Sequence, residues 1–130
     1  MRFMMIVKAS KDSEAGKMPS EQLLNAMGKY NEELMKAGAL VDLHGLHPTS
    51  KGARIKFSGG QRTVIDGPFA ETKELIGGFW IIQVKSKAEA IEWASRCPGS
   101  DNETIEVRQV QEFSDFPADV QEAAAGFPKR

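Results

Sequence analysis

Two short runs of almost unbroken apolar residues constrain the fold of this chain more than any other feature. They occupy residues 3–7, close to the start, and residues 79–84, in the second half. Both contain aromatic and β-branched side chains, which favour strands. A continuous apolar run of this length is typical of a strand that is buried on both faces. We therefore expect these two strands to lie side by side in the middle of one sheet.

Two helices are predicted, one after each central strand. Ser20 is placed to cap the first helix, and Gly38 is placed to end it. The apolar residues of this helix recur at helical spacing and are Leu23, Met27, Tyr30 and Leu34. The second helix opens with the capping-box pattern of Ser86 and Glu89, and the Cys-Pro-Gly sequence at residues 97–99 ends it.

The rest of the pattern predicts edge strands, a hairpin and a loop. Strands are expected at residues 39–43, 53–57, 62–65 and 104–110. The two middle strands flank Gly59-Gly60, and a two-residue hairpin turn favours glycine because its backbone needs positive φ. Residues 8–18 are polar and contain Gly16, so they are predicted to form a loop.

The order of these elements predicts an α+β fold, a ferredoxin-like split βαβ arrangement with an inserted β-hairpin. Two helices cover only one face of a four-stranded sheet, so something else must cover the other face. We expect a second copy of the chain to do so, which would give a homodimer built as a dimeric α/β barrel. The alternative is that the hairpin and the tail fold over that face. The exposure of Trp80 and of alternate residues in 3–7 is expected to distinguish the two.

A chain of 130 residues is long enough for one domain with a real core. We assign that domain to residues 1–112 and a C-terminal tail to residues 113–130, with a short helix over residues 118–125. Phe113, Phe116 and Phe127 are many aromatic residues for a free tail. We expect at least the first two to pack on the domain or on a partner subunit.

Charge and motif counts exclude several classes of function. The formal net charge is -1, which argues against direct nucleic-acid binding. One cysteine cannot form an internal disulfide or a zinc cage. The apolar start is shorter than the core of a signal peptide, and no run reaches the length of a membrane span. Neither a phosphate-binding loop nor a nucleophile elbow is present. We expect a soluble cytoplasmic protein without cofactor, metal, nucleic acid or membrane partner.

The polar residues that can carry chemistry are few. Asp66 leads the turn Gly67-Pro68, where it can either cap its own backbone or face a pocket as an acid, a base or a ligand anchor. His44 and His47 titrate near neutral pH, but two ligands fall short of a closed metal site. Asp66, His47 and His44 are therefore the catalytic candidates.

Four further residues are candidates for ligand binding. Tyr30 is either a core residue or a hydroxyl that faces a pocket. Arg108 and Lys8 lie at strand positions where each is either a surface residue or a clamp for a carboxylate. Trp80, on the second central strand, completes the set.

Residues 66–74, with the sequence DGPFAETKE, together with Gly78-Phe79-Trp80, resemble the signature of the YCII-related family in its DGPF-domain branch. The resemblance covers about residues 1–112. It implies a ferredoxin-like fold and a dimeric α+β barrel, as well as a His–Asp pair in related proteins, one of which is a dehydrochlorinase of a chlorinated hydroxyquinol. Asp66 falls at the position of the family aspartate. The family histidine belongs on the first helix, where this chain has Lys29-Tyr30 instead.

Three functions follow as hypotheses. The first is a cofactor-free enzyme that uses Asp66 as acid or base, with His44 or His47 as its partner, for elimination or isomerisation of a small aromatic or hydroxylated molecule. The second is a non-catalytic dimeric module that binds a small ligand or a regulatory partner, since the DGPF branch is also associated with sigma factors. The third is a stable dimer without a site. The enzyme requires Asp66 in a cleft, whereas the module requires a pocket without a converging acid–base pair.

Overall fold

Both apolar runs lie at the centre of a four-stranded antiparallel sheet in the computed structural model of this protein, which describes residues 1–99 and 103–126. The strands, in chain order, are β1 (Arg2–Lys8), β2 (Leu40–Gly45), β3 (Ala53–Ser58), β4 (Gln61–Asp66), β5 (Ile76–Gln83) and β6 (Ile105–Gln109). The sheet has the order β2-β5-β1-β6, so β1 and β5 are its central strands. This order and the antiparallel pairing are consistent with the predicted ferredoxin-like α+β fold.

The described helices are α1 (Lys11–Glu14), α2 (Glu21–Lys36), α3 (Lys87–Arg96) and α4 (Ala118–Ala123). Of these, α2 and α3 cover one face of the sheet. The predicted cap of α2 is confirmed, because the Ser20 side chain accepts a hydrogen bond from the Leu23 amide at 3.1 Å. The Ser86 side chain caps α3 as expected, but the Glu89 carboxylate accepts from the Lys85 amide and not from Ser86. The predicted capping box is therefore formed only in part, because Glu89 accepts from the amide one residue before Ser86.

The core lies between the sheet and α2 and α3. Its largest fully buried side chains are Phe3, Met5, Leu34 and Ile82. Trp80 also lies on the helix-covered face, where it is 6% exposed. Its burial therefore says nothing about what covers the opposite face, contrary to our expectation. We call that opposite face, formed centrally by Met4, Ile6, Phe79 and Ile81, the helix-free face.

A one-residue irregularity in β2 changes which side chains face the helices. The register against β5 shifts between Leu40 and Asp42. Leu40 pairs with Ile82 and Leu43 pairs with Trp80, so both leucines lie on the helix-covered face although they are an odd number of residues apart. His44 pairs with Phe79 on the helix-free face.

Strands β3 and β4 form a separate two-stranded ribbon. Gly59 and Gly60 have φ of +55° and +78°, which confirms the predicted tight turn. Every residue of both strands is exposed, so the ribbon extends from the domain and does not bury the helix-free face.

The segment at residues 8–18, predicted to be a loop, contains α1. The Ser10 hydroxyl accepts from the Ser13 amide, and the Ser13 hydroxyl accepts from the Ser10 amide. Serine in place of the usual Glu or Gln closes this capping box, which is why the pattern was missed.

The tail carries α4 inside the predicted range, and Gln121 donates to the carbonyl oxygens of Ser114 and Phe116. Phe113 is half-buried, whereas Phe116 is 38% exposed. Phe127 lies outside the described residues. Among the helices of residues 1–99 and 103–126, none has the length and apolar character needed to cross a bilayer.

Candidate functional site

A cavity of about 750 Å³ lies between the helix-covered face of the sheet and the segment that contains α1. Its apolar floor is formed by Val7, Met27, Leu43 and Trp80. Residues 13–19 form one wall, and residues 44–48 together with Ser50 and Lys51 form another. A volume of this size, with an apolar floor and polar walls, is typical of sites for small molecules.

The two walls are joined by one hydrogen-bonded cluster. Both carboxylate oxygens of Glu14, on α1, accept from Thr49: one from its amide at 3.1 Å and one from its hydroxyl at 2.5 Å. The same hydroxyl accepts from the Phe69 amide at 3.0 Å. The segment after Asp66 is therefore connected through Thr49 to the wall that contains α1.

Two glycines allow backbone segments to approach each other closely around the cavity. A Cβ atom on Gly67 would lie 1.8 Å from the carbonyl oxygen of Thr49. A Cβ atom on Gly78 would lie 2.9 Å from the carbonyl oxygen of His44. No other residue type fits at Gly67 without a shift of backbone, which gives this part of the 66–74 segment a packing role.

The polar groups that remain available in the cavity are mainly hydrogen-bond donors. The Trp80 indole donates to Asn31 Oδ1 at 2.8 Å, which leaves the Asn31 NH₂ group without a partner among the described residues. Ser50, Lys51 and Lys17 also line the cavity. Both carboxylate oxygens of Glu14 already accept a hydrogen bond from Thr49.

His44 and His47 both belong to the residues that line the cavity. The imidazole of His44, however, lies beside the Phe79 ring, with centroids 5.7 Å apart, and its Nε2 is 3.0 Å from Asp42 Oδ1. Because Phe79 lies on the helix-free face, this pair lies there too.

Asp66 is the last residue of β4 and is exposed. It does not line the cavity, and its carboxylate has no hydrogen bond or ion pair within residues 1–99 and 103–126. It caps no turn amide there, since the Phe69 amide donates to Thr49 instead. The catalytic role of Asp66 stays a prediction, and so do the roles of His44 and His47.

The hydroxyl of Tyr30 is used inside the core. It donates to the carbonyl oxygen of Trp93 at 2.6 Å, and burial raises the pKa of this phenol. Tyr30 packs edge-on against Trp80 and Trp93, at 5.7 and 6.3 Å between ring centroids. It supports the cavity floor from below through Trp80 and does not itself line the cavity.

Lys8 and Arg108 are both brought to Glu106. Lys8 Nζ lies 3.2 Å and Arg108 Nε lies 3.8 Å from the carboxylate oxygens of Glu106. Lys8 and Arg108, the two residues predicted to bind a ligand carboxylate, thus both contact the Glu106 carboxylate on the paired strands β1 and β6, away from the cavity. Their role in ligand binding stays a prediction.

The lone cysteine is not activated. Burial, together with the nearby charge of Glu103, raises the pKa of Cys97 to about 11, so its thiol is protonated at neutral pH. Within residues 1–99 and 103–126, no group of three His, Cys, Asp or Glu side chains could hold a metal ion.

Sequence reasoning missed most of the cavity. Asn31 was absent from the predictions, although it lies one helical turn after Met27, next to the apolar stripe. Glu14 and Thr49 are far apart in sequence and carry no local signal. Asp42 could have been found, because a residue two positions before His44 shares its face on a strand.

These features define an α+β protein, consistent with a ferredoxin-like fold, with a cavity at one end of its sheet. The family model of the YCII-related domain matches residues 1–114, and the chain belongs to that family. It is also similar to an uncharacterized protein of Rhizobium meliloti (strain 1021), with 36% identity over 78 residues, or 60% of this chain. The match covers 63% of that relative, less than two thirds of its length. Placement in the DGPF branch rests on residues 66–74 alone.

Proposed function

We propose that this protein binds a small molecule with a flat apolar body and at least one hydrogen-bond acceptor group, a carboxylate above all. The observation that carries the proposal is the imbalance of polar groups in the cavity. Both carboxylate oxygens of Glu14 already accept from Thr49, while the NH₂ group of Asn31 is available to donate. This imbalance favours the binding module over the Asp66 enzyme.

The apolar part of the ligand is argued from the floor of the cavity. Trp80 is the aromatic residue of the floor, and Met27 adds a deformable side chain. A planar ring can pack on such a surface, while a purely polar molecule would lose hydration without compensation. Lys17 and Lys51 at the walls favour a negative charge at the end of the ligand that faces solvent.

A second candidate function is acid–base catalysis, and one observation favours it. Asp42 Oδ1 accepts from the Leu43 amide at 2.9 Å and lies 3.0 Å from His44 Nε2. A carboxylate that orients an imidazole is the arrangement a general base needs. Such an enzyme would carry out a cofactor-free elimination or isomerisation, with Asp66 or His47 contributed as further acid or base.

We also propose that a second copy of the chain covers the helix-free face, which would make a dimeric α/β barrel. Met4, Phe79 and Ile81 form a half-buried apolar row in the middle of that face. Polar pairs flank it: an ion pair from Lys8 to Glu106 and a contact between His44 Nε2 and Asp42 Oδ1. An apolar centre with a polar rim is the composition of a stable protein interface.

The ligand proposal is tested by thermal shift and calorimetry with benzoate, salicylate and 4-hydroxybenzoate, each beside the matching benzyl alcohol. A ligand present at 100 times its Kd stabilises a fold by about 2.7 kcal/mol. We expect at least one carboxylate to bind about tenfold more tightly than its alcohol, a difference of about 1.4 kcal/mol. Failure of every carboxylate, or equal binding of the alcohols, would contradict the proposal.

Asn31→Asp is the discriminating variant. It keeps an oxygen acceptor for the Trp80 indole but replaces the donor NH₂ group by a negative charge, so carboxylate binding should weaken about tenfold or more. Asn25→Asp makes the same change on an exposed turn of α2 outside the cavity and serves as the control. Chemical conversion of the ligand by wild type, absent in His44→Asn, would favour the second candidate.

A further inference from the structure

The β3–β4 ribbon presents one apolar face that nothing in the described chain covers. Directly opposite residues share a face, so Ala53 and Asp66, Ile55 and Val64, and Phe57 and Arg62 lie together. Ile55, Phe57 and Val64 are 50%, 69% and 65% exposed. Three large apolar side chains grouped on one exposed surface mark an interaction site more often than scattered ones do.

The other face of the ribbon contacts the segment that follows β4. Arg54, which lies on that other face, stacks on the ring of Phe69 at 3.8 Å from its centroid. The apolar face lies opposite to this contact, and its large apolar side chains are exposed.

The apolar face is ordered along the ribbon by charge and by size. Arg62 and Phe57 lie at the end near the turn, and Asp66 and Ala53 lie at the other end. Arg62 and Asp66 are four residues apart on β4, about 13 Å at about 3.3 Å per residue. The end near the turn thus carries a positive charge and a large aromatic side chain, and the other end carries a negative charge and a small side chain. The middle pair, Ile55 and Val64, is apolar.

Such a face is complementary to a copy of itself. We propose that the β3–β4 ribbon is an interface with a second copy of this chain, in which the two apolar faces pack about a two-fold axis that passes through the Ile55–Val64 pair, perpendicular to the strands. Arg62 then faces Asp66 of the partner subunit, and Phe57 faces Ala53 of the partner subunit. The central pairs pack on each other.

This arrangement gives a partner to Asp66 and adds an ion pair to Arg62, which within its own chain stacks over the Phe57 ring at 5.2 Å from its centroid. Asp66 has no partner among the described residues, and an ion pair with a partner's guanidinium supplies one. An isologous contact needs a patch that is self-complementary, and the reversal of charge along the ribbon meets this condition. A nucleic acid fits less well, because the centre of the face is apolar and one end carries a carboxylate.

The test is intermolecular cross-linking with a short bis-maleimide between copies of Val64→Cys, the position on the proposed axis, because sheets packed face to face lie about 10 Å apart, too far for a direct disulfide. Thr63→Cys, on the opposite face of the same strand, is the control and retains Cys97 in the same way. We expect Val64→Cys to form a covalent dimer about tenfold more efficiently than Thr63→Cys, as a 1.4 kcal/mol preference would give. Equal cross-linking of the two variants would overturn the proposal.

Charge reversal in the Val64→Cys background tests the pairing itself. Arg62→Asp and Asp66→Arg each place like charges opposite each other, and each should reduce cross-linking about tenfold. The double variant Arg62→Asp/Asp66→Arg restores opposite charges and should recover most of the cross-linking. Recovery in the double variant also excludes misfolding as the cause of the single losses. A double variant as poor as the singles, or singles equal to the parent, would show that another occupant uses this face.

Discussion

At the scale of single residues, glycines and one threonine determine how the cavity is closed. Gly67 lets the chain after β4 lie against the Thr49 carbonyl, and the Thr49 hydroxyl joins that chain to Glu14 of α1. The 66–74 segment that resembles a family signature thus positions a wall of the cavity. The contacts of Gly67 and Phe69 give this segment a role in packing. Such a role is compatible with a role in chemistry for other residues of the segment.

Gly67→Ala should lower the free energy of unfolding by about 1–3 kcal/mol, because the added methyl group would overlap a backbone oxygen and force a shift. Gly52→Ala is the matched control. Its Cβ would meet the same Thr49 oxygen at an ordinary 3.6 Å, and its φ of -118° suits any residue. Denaturant unfolding of the two variants measures the difference. An equal effect of both substitutions would contradict the assignment.

At the scale of elements, an ion pair fastens the tail to the first strand. Arg2 Nε and Nη2 donate to the two carboxylate oxygens of Glu112 at 2.7 and 2.8 Å, and the Val110 amide donates to the Arg2 carbonyl. The hydrogen bond with Arg2 holds the pKa of Glu112 below its usual value and raises the pKa of Arg2. The position of residues 110–123 therefore depends on the charge of one carboxylate.

Glu112 gives the tail a predictable response to acid. Since its folded pKa is lowered, the charged form stabilises docking above the ordinary pKa of about 4.3, and the contribution is lost as pH falls through the folded pKa. Wild type should show rising mobility of residues 113–123 in that acid range, measured by NMR order parameters. Glu112→Gln should show that mobility already at pH 7, whereas Glu122→Gln, an exposed carboxylate on the same tail, should not.

Local patterns predicted the elements better than they predicted contacts between them. The capped helices and the Gly-Gly turn could be predicted because each depends on neighbouring residues. The Ser10–Ser13 box was missed, because serine at the third helical position is an unusual partner. The cavity could not be predicted, since Asn31, Glu14 and Thr49 meet only after α1, α2 and the sheet have assembled.

At the scale of the whole molecule, the two proposed interfaces, the helix-free face and the ribbon, are distinct surfaces. The first consists of the apolar row around Phe79 and Ile81, and the second of the apolar face around Val64. They lie on different elements, so variants in one leave the other intact. Their contributions to assembly are therefore separable by experiment.

Ile81→Glu should break the proposed barrel, because it places a charge in the middle of the helix-free face. Light scattering after gel filtration, run on chains that carry Arg62→Asp to remove the proposed ribbon contact, should give about twice 14.3 kDa with Ile81 intact and a lower mass with Ile81→Glu at the same concentration. Ile91→Glu introduces the same charge at an exposed position of α3 and should leave the mass unchanged. A monomeric mass with Ile81 intact, or an unchanged mass with Ile81→Glu, would contradict the barrel.

The irregularity in β2 has a consequence for how this chain tolerates changes of length. Val41 is the residue around which the register shifts, and it is 49% exposed. Removing it would leave Leu40 and Leu43 two positions apart, so simple alternation would keep both on the helix-covered face. Asp42 and His44 would stay on the opposite face, beside Phe79. The extra residue in this edge strand is thus one that a single-codon deletion can remove while the apolar side and the polar side of β2 stay in phase.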